Sequence, residues 1–529
     1  MIYSIYPSLR GTKQSRNLTC IWIASQARND GELLYRHCEL AKQSSNLICA
    51  WIASQATNDE SCLTSLRACE AIQNLTGAPG LLRRLAMTGD QRHLHLFDFS
   101  SGSRNDDNPV AQTGHEPPVK YRTLPDADRV FSSLPFISDS LCYIKDPSHS
   151  MSVFINLLMD LLHGKDTVIN VVHLGDSHIQ AGHLSGRTMR LLQNSFGNAG
   201  RGWIAPFKLA KTNEPSDYYI TSNVKEWIAG RCVQTNPKCP WGIGGIGIQT
   251  KTKDVDFRVI ITPGNGEGYS FNKVLLYSDC NASPLTPVNN DRVVVSSSDN
   301  QPNDIIRVDT FLMANPADTL AIRSKSPQNQ SGNSNLYYGF NLMNGNPGIL
   351  YHAIGVNGAH FVNYAHRDYI RQLALLQPSL LIISLGGNEA HGRNFNKTTF
   401  ERQVHSLIRL IREEIPGTAI LITTPAETYK SVYVNKKRQY VRNENIAKVA
   451  EVISAYTERE GLACWDLFTV SGGENSCKNW YDAKVLGSDR IHFSYKGYEE
   501  QGLLLFKAIA RTCVLPIASS EIKVNTRVE

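Results

Sequence analysis

The sequence predicts an α/β fold, a three-layer doubly wound parallel sheet with an inserted all-β sandwich module. Three apolar runs, Val168–Leu174, Leu380–Leu385 and Ala419–Thr424, predict strands buried on both faces, as in a parallel sheet. Between the last two, Thr399–Glu414 has apolar residues at helical spacing on one face. Strands that alternate with helices in this way are typical of a doubly wound α/β layer.

The stretch 211–347 breaks this alternation and predicts the inserted sandwich. Clusters of Gly, Asn, Pro and Ser separate short strand-like runs there, which is typical of antiparallel β structure. The runs are Phe257–Thr262, Lys273–Tyr277, Arg292–Ser296, Ile305–Phe311 and Thr319–Ser324. The α/β domain is therefore expected in two parts, 150–210 and 348–514, followed by a tail at 515–529.

The first 90 residues contain a repeat rather than a domain pattern. Leu9–Asp30 recurs as Cys38–Asp59, with Trp22 aligned to Trp51. The copies lack the sustained amphipathic pattern of a solenoid. We interpret 1–90 as a repeat-derived segment, either disordered or the product of an over-extended reading frame. Residues 91–149, rich in Ser, Asp, Asn and Pro, are predicted to be a linker.

Composition excludes some function classes. A formal charge of +6 is small for 529 residues and argues against a nucleic-acid partner. No apolar run approaches the roughly 18 residues of a membrane span. The 12 cysteines show no zinc-finger spacing, so no metal is predicted. Cys232 and Cys239 fit either a disulfide of an exported protein or two unpaired thiols.

The strongest motif is Gly175-Asp176-Ser177-His178, directly after the first predicted strand. A serine at that place is exposed at the carboxyl edge of the sheet, where open α/β folds bind ligands. A serine nucleophile needs a base, and Asp489-Arg490-Ile491-His492 offers one near the other end of the chain. Its spacing lets the carboxylate of Asp489 bind one imidazole nitrogen of His492 while the other nitrogen faces Ser177.

Attack on an ester creates an oxyanion, which needs hydrogen-bond donors aimed at it. Gly386-Gly387-Asn388-Glu389 follows the second predicted strand, and the side-chain amide of Asn388 is a candidate donor. The loop 354–359 offers a flexible backbone amide, best assigned to Gly358. The amide of Ser177 completes the predicted set.

Together these blocks resemble the SGNH (GDSL-like) hydrolase family, in the family's order. The resemblance implies that Ser177 is the nucleophile, that Asp489 and His492 are its acid and base, and that Gly358 and Asn388 are oxyanion donors. Asp176 and His178 are expected in supporting roles. The third block departs from the pattern of many relatives, which carry Asp where this chain has Glu389.

A narrower resemblance covers roughly 150–514 and points to bacterial peptidoglycan O-acetylesterases. The phrases that carry it are LGDSHIQAGHLSGR, FGNAGRGW, PGILYHAIGVNGA, ISLGGNEA and DRIHFSYKGY. It implies removal of O-acetyl groups from an acetylated glycan, specifically from the 6-hydroxyl of N-acetylmuramic acid. It also implies that no cofactor is needed. It also implies a place in the cell envelope, periplasmic or exported. Tyr269, Tyr277, Tyr337 and Tyr338 are candidate sugar-stacking residues, although core packing is the more common role of such residues.

Other interpretations remain open at this stage. The run Gly242–Gly247 has the letters of a dinucleotide fingerprint but lacks the preceding strand and following helix. His173, Asp176, His178 and His183 would be the ligands of a metallohydrolase, although His173 is better read as a core histidine. An acetylesterase acting on another polysaccharide such as xylan, or a non-catalytic glycan-binding envelope protein, would also fit.

Overall fold

The computed structural model describes two short strands, 18–25 and 47–54, and then 125–129, 131–266, 268–288, 293–300, 306–324 and 335–521. The other expectations for the first 90 residues, and most of the predicted tail, lie outside the described residues. The strands of the two repeat copies pair in parallel and in register, with Trp22 opposite Trp51. These two strands fall in a different structural unit from the described residues after 115.

The strands, numbered along the chain, are β1 (Leu18–Ser25), β2 (Leu47–Ser54), β3 (Ile144–Lys145), β4 (Val168–Gly175), β5 (Gly202–Ile204), β6 (Tyr218–Thr221), β7 (Ile228–Arg231), β8 (Ile246–Thr250), β9 (Asp256–Ile261), β10 (Phe271–Asp279), β11 (Leu285–Pro287), β12 (Val293–Asn300), β13 (Ile306–Ala317), β14 (Thr319–Ser324), β15 (Asn335–Met343), β16 (Gly348–Gly355), β17 (Leu380–Ser384), β18 (Ala419–Thr423), β19 (Tyr429–Val434), β20 (Lys437–Arg442) and β21 (Ala463–Trp465).

The helices are α1 (Ser152–Leu162), α2 (Ser177–Gln180), α3 (His183–Phe196), α4 (Phe361–Tyr364), α5 (Arg367–Leu373), α6 (Gly387–His391), α7 (Lys397–Glu414), α8 (Asn445–Glu460), α9 (Leu467–Val470), α10 (Ser476–Asp482) and α11 (Tyr495–Glu521). Four short 3₁₀ turns complete the described helices, at Ala127–Arg129, Asp139–Leu141, Pro263–Asn265 and Ala374–Leu376.

The central sheet has the order β16-β4-β17-β18-β21-β3. All its neighbouring strands are parallel except the edge strand β3, which pairs antiparallel with β21. The sequence predicted β4, β17 and β18 within one residue of their observed ends. The register places Gly355 beside Gly175, and Gly175 beside Ser384. The loops that follow these strands therefore leave the sheet at one common edge.

Helices cover both faces of this sheet. Leu380 and Ile382 of β17 pack in a core shared with α1, α3 and α11, whereas Leu381 and Ile383 pack in a core shared with α7 and α8. Successive side chains of a strand point to opposite faces, so these two cores lie on opposite sides of the sheet. The three-layer α/β prediction is confirmed for this part of the chain.

Ordered structure begins earlier than the sequence suggested. The region predicted to be a linker up to residue 149 contains β3 and buries Cys142 and Ile144 in the core beneath α11. The ammonium group of Lys507, which is buried, donates to Asp139 at 2.6 Å. The linker interpretation is wrong for residues 131–149, because this stretch packs into the core and pairs with α11, and no sequence periodicity indicates such contacts.

Between β4 and β16 the chain forms two antiparallel sheets. One contains β12-β13-β10-β15-β8-β7 with β5 paired to β15, and the other contains β11-β14-β9-β6. Phe257 of the second sheet contacts Tyr337 of the first, with ring centroids 5.1 Å apart. Because β5 begins at Gly202, antiparallel pairing starts before the predicted boundary at 211.

The antiparallel region decides two questions that the sequence left open, the dinucleotide fingerprint and the state of Cys232 and Cys239. The run Gly242–Gly247 leads into strand β8 rather than into a helix, and a Cβ atom at Gly242 or Gly244 would collide with the ring of Tyr338 or Trp203. These glycines therefore make room for aromatic side chains, and the dinucleotide fingerprint is wrong. Cys232 and Cys239 are buried free thiols.

The four tyrosines considered for sugar stacking are buried in the core. Tyr269, Tyr277, Tyr337 and Tyr338 are each at most 3% exposed. Tyr269 donates its hydroxyl to Gln193 of α3 at 2.8 Å. The sugar-stacking hypothesis is therefore wrong for these residues, which pack the antiparallel region and its contact with the α/β layer.

Candidate active site

Ser177 is the first residue of α2, immediately beyond the carboxyl end of β4. Asp176 caps this short helix, and its Oδ1 accepts the backbone N–H of His178 at 2.9 Å. A side chain at Gly175 would collide with Ile179, so glycine permits the sharp turn from strand to helix. The turn brings the hydroxyl of Ser177 to the edge of the sheet.

Ser177, His492 and Asp489 form a hydrogen-bonded series. Ser177 Oγ lies 2.9 Å from His492 Nε2, and His492 Nδ1 lies 2.7 Å from Asp489 Oδ2. The other oxygen of Asp489 accepts the backbone N–H groups of Ile491 and His492, both at 3.0 Å. Burial acts to raise the pKa of Asp489, but these hydrogen bonds outweigh it and the pKa is lowered, so the carboxylate remains charged.

The predicted supporting residue His178 lies beside this series. Its Nδ1 is 2.9 Å from the hydroxyl of Tyr498, and its ring centroid is 5.3 Å from that of His492. Burial lowers the pKa of His178, and Asp176 only partly opposes that effect. A neutral His178 can pack against His492 without electrostatic repulsion.

Asn388 lies in α6 and lines the same cavity as Ser177. Its Nδ2 donates to Asp176 Oδ2 at 3.1 Å and to the carbonyl of Ala359 at 3.0 Å. Both N–H bonds of the amide thus have an acceptor. An oxyanion near Nδ2 would have to share one of these hydrogens with Asp176 or with Ala359.

Unlike the side-chain amide of Asn388, the backbone N–H groups of Ser177 and Gly358 make no hydrogen bond within the described residues. Gly358 has a φ of +80°, which favours glycine, and a Cβ atom there would meet nothing within 4 Å. No acceptor in the described part of the chain takes a hydrogen bond from either N–H. Ser177, Gly358, Asn388 and His492 all line one cavity of about 730 Å³. The cavity therefore has a hydroxyl, an imidazole and three candidate N–H donors, of which two are backbone amides and one is a side-chain amide.

Three polar residues that the sequence analysis missed hold the Gly358 loop. Gln180 Oε1 accepts the backbone N–H of Asn357 at 2.8 Å. The amide of Gln180 donates to the carbonyl of Asn213 at 2.7 Å, and the amide of Asn357 donates to Asn213 Oδ1 at 2.6 Å. Only the fold brings these residues together, and no local motif could have indicated them.

Glu389 was noted only as a departure from a family pattern, but its surroundings are unusual. Its Oε1 accepts the backbone N–H of Phe361 at 2.8 Å, which links α6 to the segment after Gly358. Its Oε2 is buried and has no partner among the described residues. Burial raises the pKa of Glu389 to about 7.

The residues of the metallohydrolase interpretation do not converge. His173 is fully buried between Tyr351 and Ser384, at 2.6 Å and 2.7 Å, and burial lowers its pKa to about 3. His183 packs against the ring of Tyr495. Across the described residues, no group of three or more His, Cys, Asp or Glu side chains is placed to hold a metal ion. His173 is a core histidine, as preferred from the sequence.

Comparison with known families gives one match. Residues 324–500 match the model of the GDSL-like Lipase/Acylhydrolase family. The match spans Gly358, Asn388, Asp489 and His492 and begins after Ser177. No curated protein matches the chain.

Among solved structures, a peptidoglycan O-acetylesterase shares the fold. It is 20% identical, covers 70% of this chain and 99% of its own, and superposes with a TM-score of 0.56. A lipase/acylhydrolase from Enterococcus faecalis is 20% identical and covers 31% of this chain and 77% of its own, with a TM-score of 0.24. A putative acylhydrolase from Bacteroides fragilis is 17% identical, covers 31% and 76%, and has a TM-score of 0.23. The last two scores are too low to establish a common fold.

Proposed function

We propose that this chain is an ester-hydrolysing enzyme that removes O-acetyl groups from a carbohydrate polymer, peptidoglycan. Its α/β fold is SGNH hydrolase-like, and its residues 324–500 match the model of the GDSL-like Lipase/Acylhydrolase family. The observation that carries this proposal is the hydrogen-bonded series Ser177–His492–Asp489. Ser177 and His492 line a cavity together with Gly358, and the backbone N–H groups of Ser177 and Gly358 have no acceptor among the described residues. Such a set has no structural purpose in a scaffold.

The geometry supports a covalent mechanism. Neutral His492 accepts the proton of Ser177 through Nε2 as Oγ attacks the acetyl carbonyl, and Asp489 stabilises the imidazolium that forms. The imidazolium then donates this proton to the departing sugar oxygen, which leaves an acetyl-serine. His492 next takes a proton from water as the water oxygen attacks the acetyl-serine. Acetic acid then leaves as Oγ recovers the proton from His492, and the acid ionises to acetate in solution.

The negative charge on the carbonyl oxygen in both steps needs donors. The N–H groups of Ser177 and Gly358 are free to supply two of them. Asn388 supplies a third if its hydrogen turns partly from the Ala359 carbonyl toward the oxyanion. Donors fixed before the reaction stabilise the transition state without reorganisation. Asp176 acts as a supporting residue, because it caps α2 and holds the Asn388 amide.

The choice of glycan rests on two points. The solved structure that shares the fold along most of this chain is a peptidoglycan O-acetylesterase, and the sequence phrases quoted above resemble that family. Peptidoglycan as the substrate places the enzyme in the cell envelope, exported or periplasmic. No helix within the described residues is long and apolar enough to cross a membrane. An acetylated xylan substrate would need the same chemistry and is the alternative.

We also propose that the two antiparallel sheets form one inserted sandwich that positions the polymer. Phe257 packs between them, and Asn213, in the loop that enters the second sheet, lines the active-site cavity. A groove of about 930 Å³ lies on the second sheet and is lined by polar residues such as Asn223, Asp256 and Arg258. Binding energy from remote parts of a polymer can orient the reacting ester.

The deciding experiment measures acetate released from O-acetylated peptidoglycan and from acetylated xylan by the purified protein, with the Ser177→Ala protein as control. We expect faster release from peptidoglycan and no effect of a chelator. Faster release from xylan would show that xylan, rather than peptidoglycan, is the preferred substrate. A chelator-sensitive rate that zinc restores would overturn the mechanism.

A further inference from the structure

The hairpin β19–β20 carries an unusual charge. Residues 429–442 contain five Lys or Arg residues and no Asp or Glu. The hairpin turns at Asn435 and Lys436, which both have positive φ values of 50° and 62°, as two-residue hairpin loops require. Tyr433 at its tip is 74% exposed. The chain thus builds a protruding ribbon with cations and an aromatic ring on its surface.

Most of these cations have no carboxylate partner. Arg442, at the base, pairs with Glu427 at 3.3 Å and Glu474 at 3.0 Å. Within the described residues, no carboxylate oxygen lies within 4.0 Å of Lys430, Lys436, Lys437 or Arg438, whereas arginines elsewhere on the surface are paired. On α7, for example, Arg409 pairs with Glu413 and Arg412 pairs with Glu460.

The base of the hairpin is joined to the active site. Thr428, the residue before β19, lines the cavity, and its hydroxyl is 3.3 Å from Nε2 of His391, which also lines it. The backbone N–H of Tyr429 donates to the carbonyl of Arg490 at 3.0 Å. Arg490 lies between Asp489 and His492 in the chain, so the hairpin directly abuts the turn that presents the candidate base.

Arg490 strengthens this connection. Its guanidinium lies over three rings, at 5.4 Å from Tyr429, 4.6 Å from Tyr440 and 4.2 Å from Tyr481. Tyr429 and Tyr440 belong to the hairpin, and Tyr481 belongs to α10. The backbone of Arg490 has a φ of +58°, a conformation that few non-glycine residues adopt. The aromatic rings therefore hold both the hairpin and the Asp489–His492 turn in place.

We propose that the β19–β20 hairpin is a binding arm for a glycan that carries carboxylates next to the acetylated sugar. The inference rests on the proposed function and narrows its substrate class. Peptidoglycan carries such carboxylates on its peptides, whereas the backbone of acetylated xylan is neutral. Unpaired cations beside a cleft raise the local concentration of an anionic substrate and its rate of association.

The test compares two variants, each of which removes three positive charges. The hairpin variant is Lys436→Asn/Lys437→Gln/Arg438→Gln; asparagine is chosen because it tolerates the positive φ of position 436. The control, Lys397→Gln/Arg409→Gln/Arg412→Gln, removes cations that pair with Glu451, Glu413 and Glu460. Substrates are acetylated polygalacturonate, which is anionic, acetylated xylan, which is neutral, and a small acetyl ester.

We expect the hairpin variant to lower kcat/KM on acetylated polygalacturonate about 10-fold relative to the small ester at low salt. The loss should shrink at about 0.5 M salt, because screening is then strong. The ratio of xylan to small-ester activity should stay constant, and the control should keep wild-type ratios. An equal loss on xylan, a salt-independent loss, or an equal loss in the control would overturn the inference.

A binding measurement separates this inference from the proposed function. The Ser177→Ala protein, with and without the hairpin substitutions, is titrated with deacetylated polygalacturonate, which requires no turnover. Weaker binding by about 10-fold at low salt in the hairpin variant supports the arm, even if the wild-type protein releases no acetate. Equal binding by the two proteins would rule the arm out, whatever the enzyme hydrolyses.

Discussion

Polar side chains are accessible at the carboxyl edge of the parallel sheet, whereas several of those in the two antiparallel sheets are buried and paired. At the edge, Ser177 and His492 are hydrogen-bonded to each other and still face a cavity. In the antiparallel region, some charged side chains are buried and are paired with each other. Arg307 and Asp309 of β13 are both buried and are 3.2 Å apart, and Arg307 also donates to the carbonyl of Ala282 at 2.6 Å.

This difference shows which polar residues of the molecule can reach a bound ligand. Parallel strands end together, so the residues after them are free to converge on a ligand. Antiparallel strands are joined by nearby turns, and here their tyrosines and ion pairs are used to stabilise the fold. Substitutions of the cavity-lining residues at the sheet edge should therefore change rates more than stability, whereas substitutions inside the antiparallel region should do the reverse.

The largest expected effect is that of Ser177→Ala. Loss of the nucleophile of a triad lowers turnover on the order of a million-fold in well-studied enzymes. The melting temperature should stay close to that of the wild type, because the hydroxyl of Ser177 bonds only to His492 among the described residues. A purified variant that keeps a tenth of the activity on a small acetyl ester would exclude Ser177 as nucleophile.

Arg307→Met tests the other side of the comparison. It leaves the buried carboxylate of Asp309 without its partner, and breaking a buried pair typically costs about 3–5 kcal/mol of unfolding free energy. Urea denaturation measures that loss, and kcat on a small ester should not change below the unfolding range. The matched control is Arg323→Met, whose pair with Asp254 is exposed, so its urea midpoint should barely move. A loss of kcat in folded Arg307→Met protein would contradict the division.

Asn388→Ala should lower kcat about 100- to 1000-fold with little change in KM, since an oxyanion donor acts mainly in the transition state. The substitution also removes a donor from the buried carboxylate of Asp176, so some stability should be lost. Steady-state kinetics with a small ester, together with a melting curve, separates the two effects. An increase confined to KM would show that Asn388 only shapes the cavity.

Glu389→Gln should give the smallest change, visible as an altered pH dependence of stability. The pKa of Glu389 is raised by burial from an ordinary 4.5 to about 7, so the folded protein holds this proton more tightly than the unfolded chain. Stability from the protonated group is thus present at low pH and is lost as the pH rises from about 4.5 through about 7. Glutamine keeps an acceptor for Phe361 and cannot ionise.

Urea midpoints at about pH 5 and pH 8 measure this difference. The wild type should lose on the order of 1–3 kcal/mol more than Glu389→Gln across that interval. Glu389→Ala, which also removes the acceptor for the N–H of Phe361, serves as the comparison for the hydrogen bond itself. Parallel pH profiles of wild type and Glu389→Gln would show that this carboxyl does not titrate in the folded protein.

The sequence by itself determined the parallel strands and the residues that follow them. Buried parallel strands are continuous apolar runs, so β4, β17 and β18 can be predicted without any tertiary information. Because such strands end at one edge, the sequence also indicated that Ser177 and Asn388 would lie near each other. The Asp489–His492 contact spans only one turn and follows from its spacing.

Only the tertiary structure decided the contacts between distant segments. Ser177 and His492 are 315 positions apart, and their 2.9 Å contact depends on the docking of the turn before α11. The bonds among Gln180, Asn213 and Asn357 have no local signature either. The orientation of Tyr277, Tyr337 and Tyr338 was also decided by the tertiary structure, since a strand pattern does not by itself tell whether a tyrosine ring faces solvent or core. Periodicity is a property of a segment, whereas partner choice depends on which segments the whole fold brings into contact.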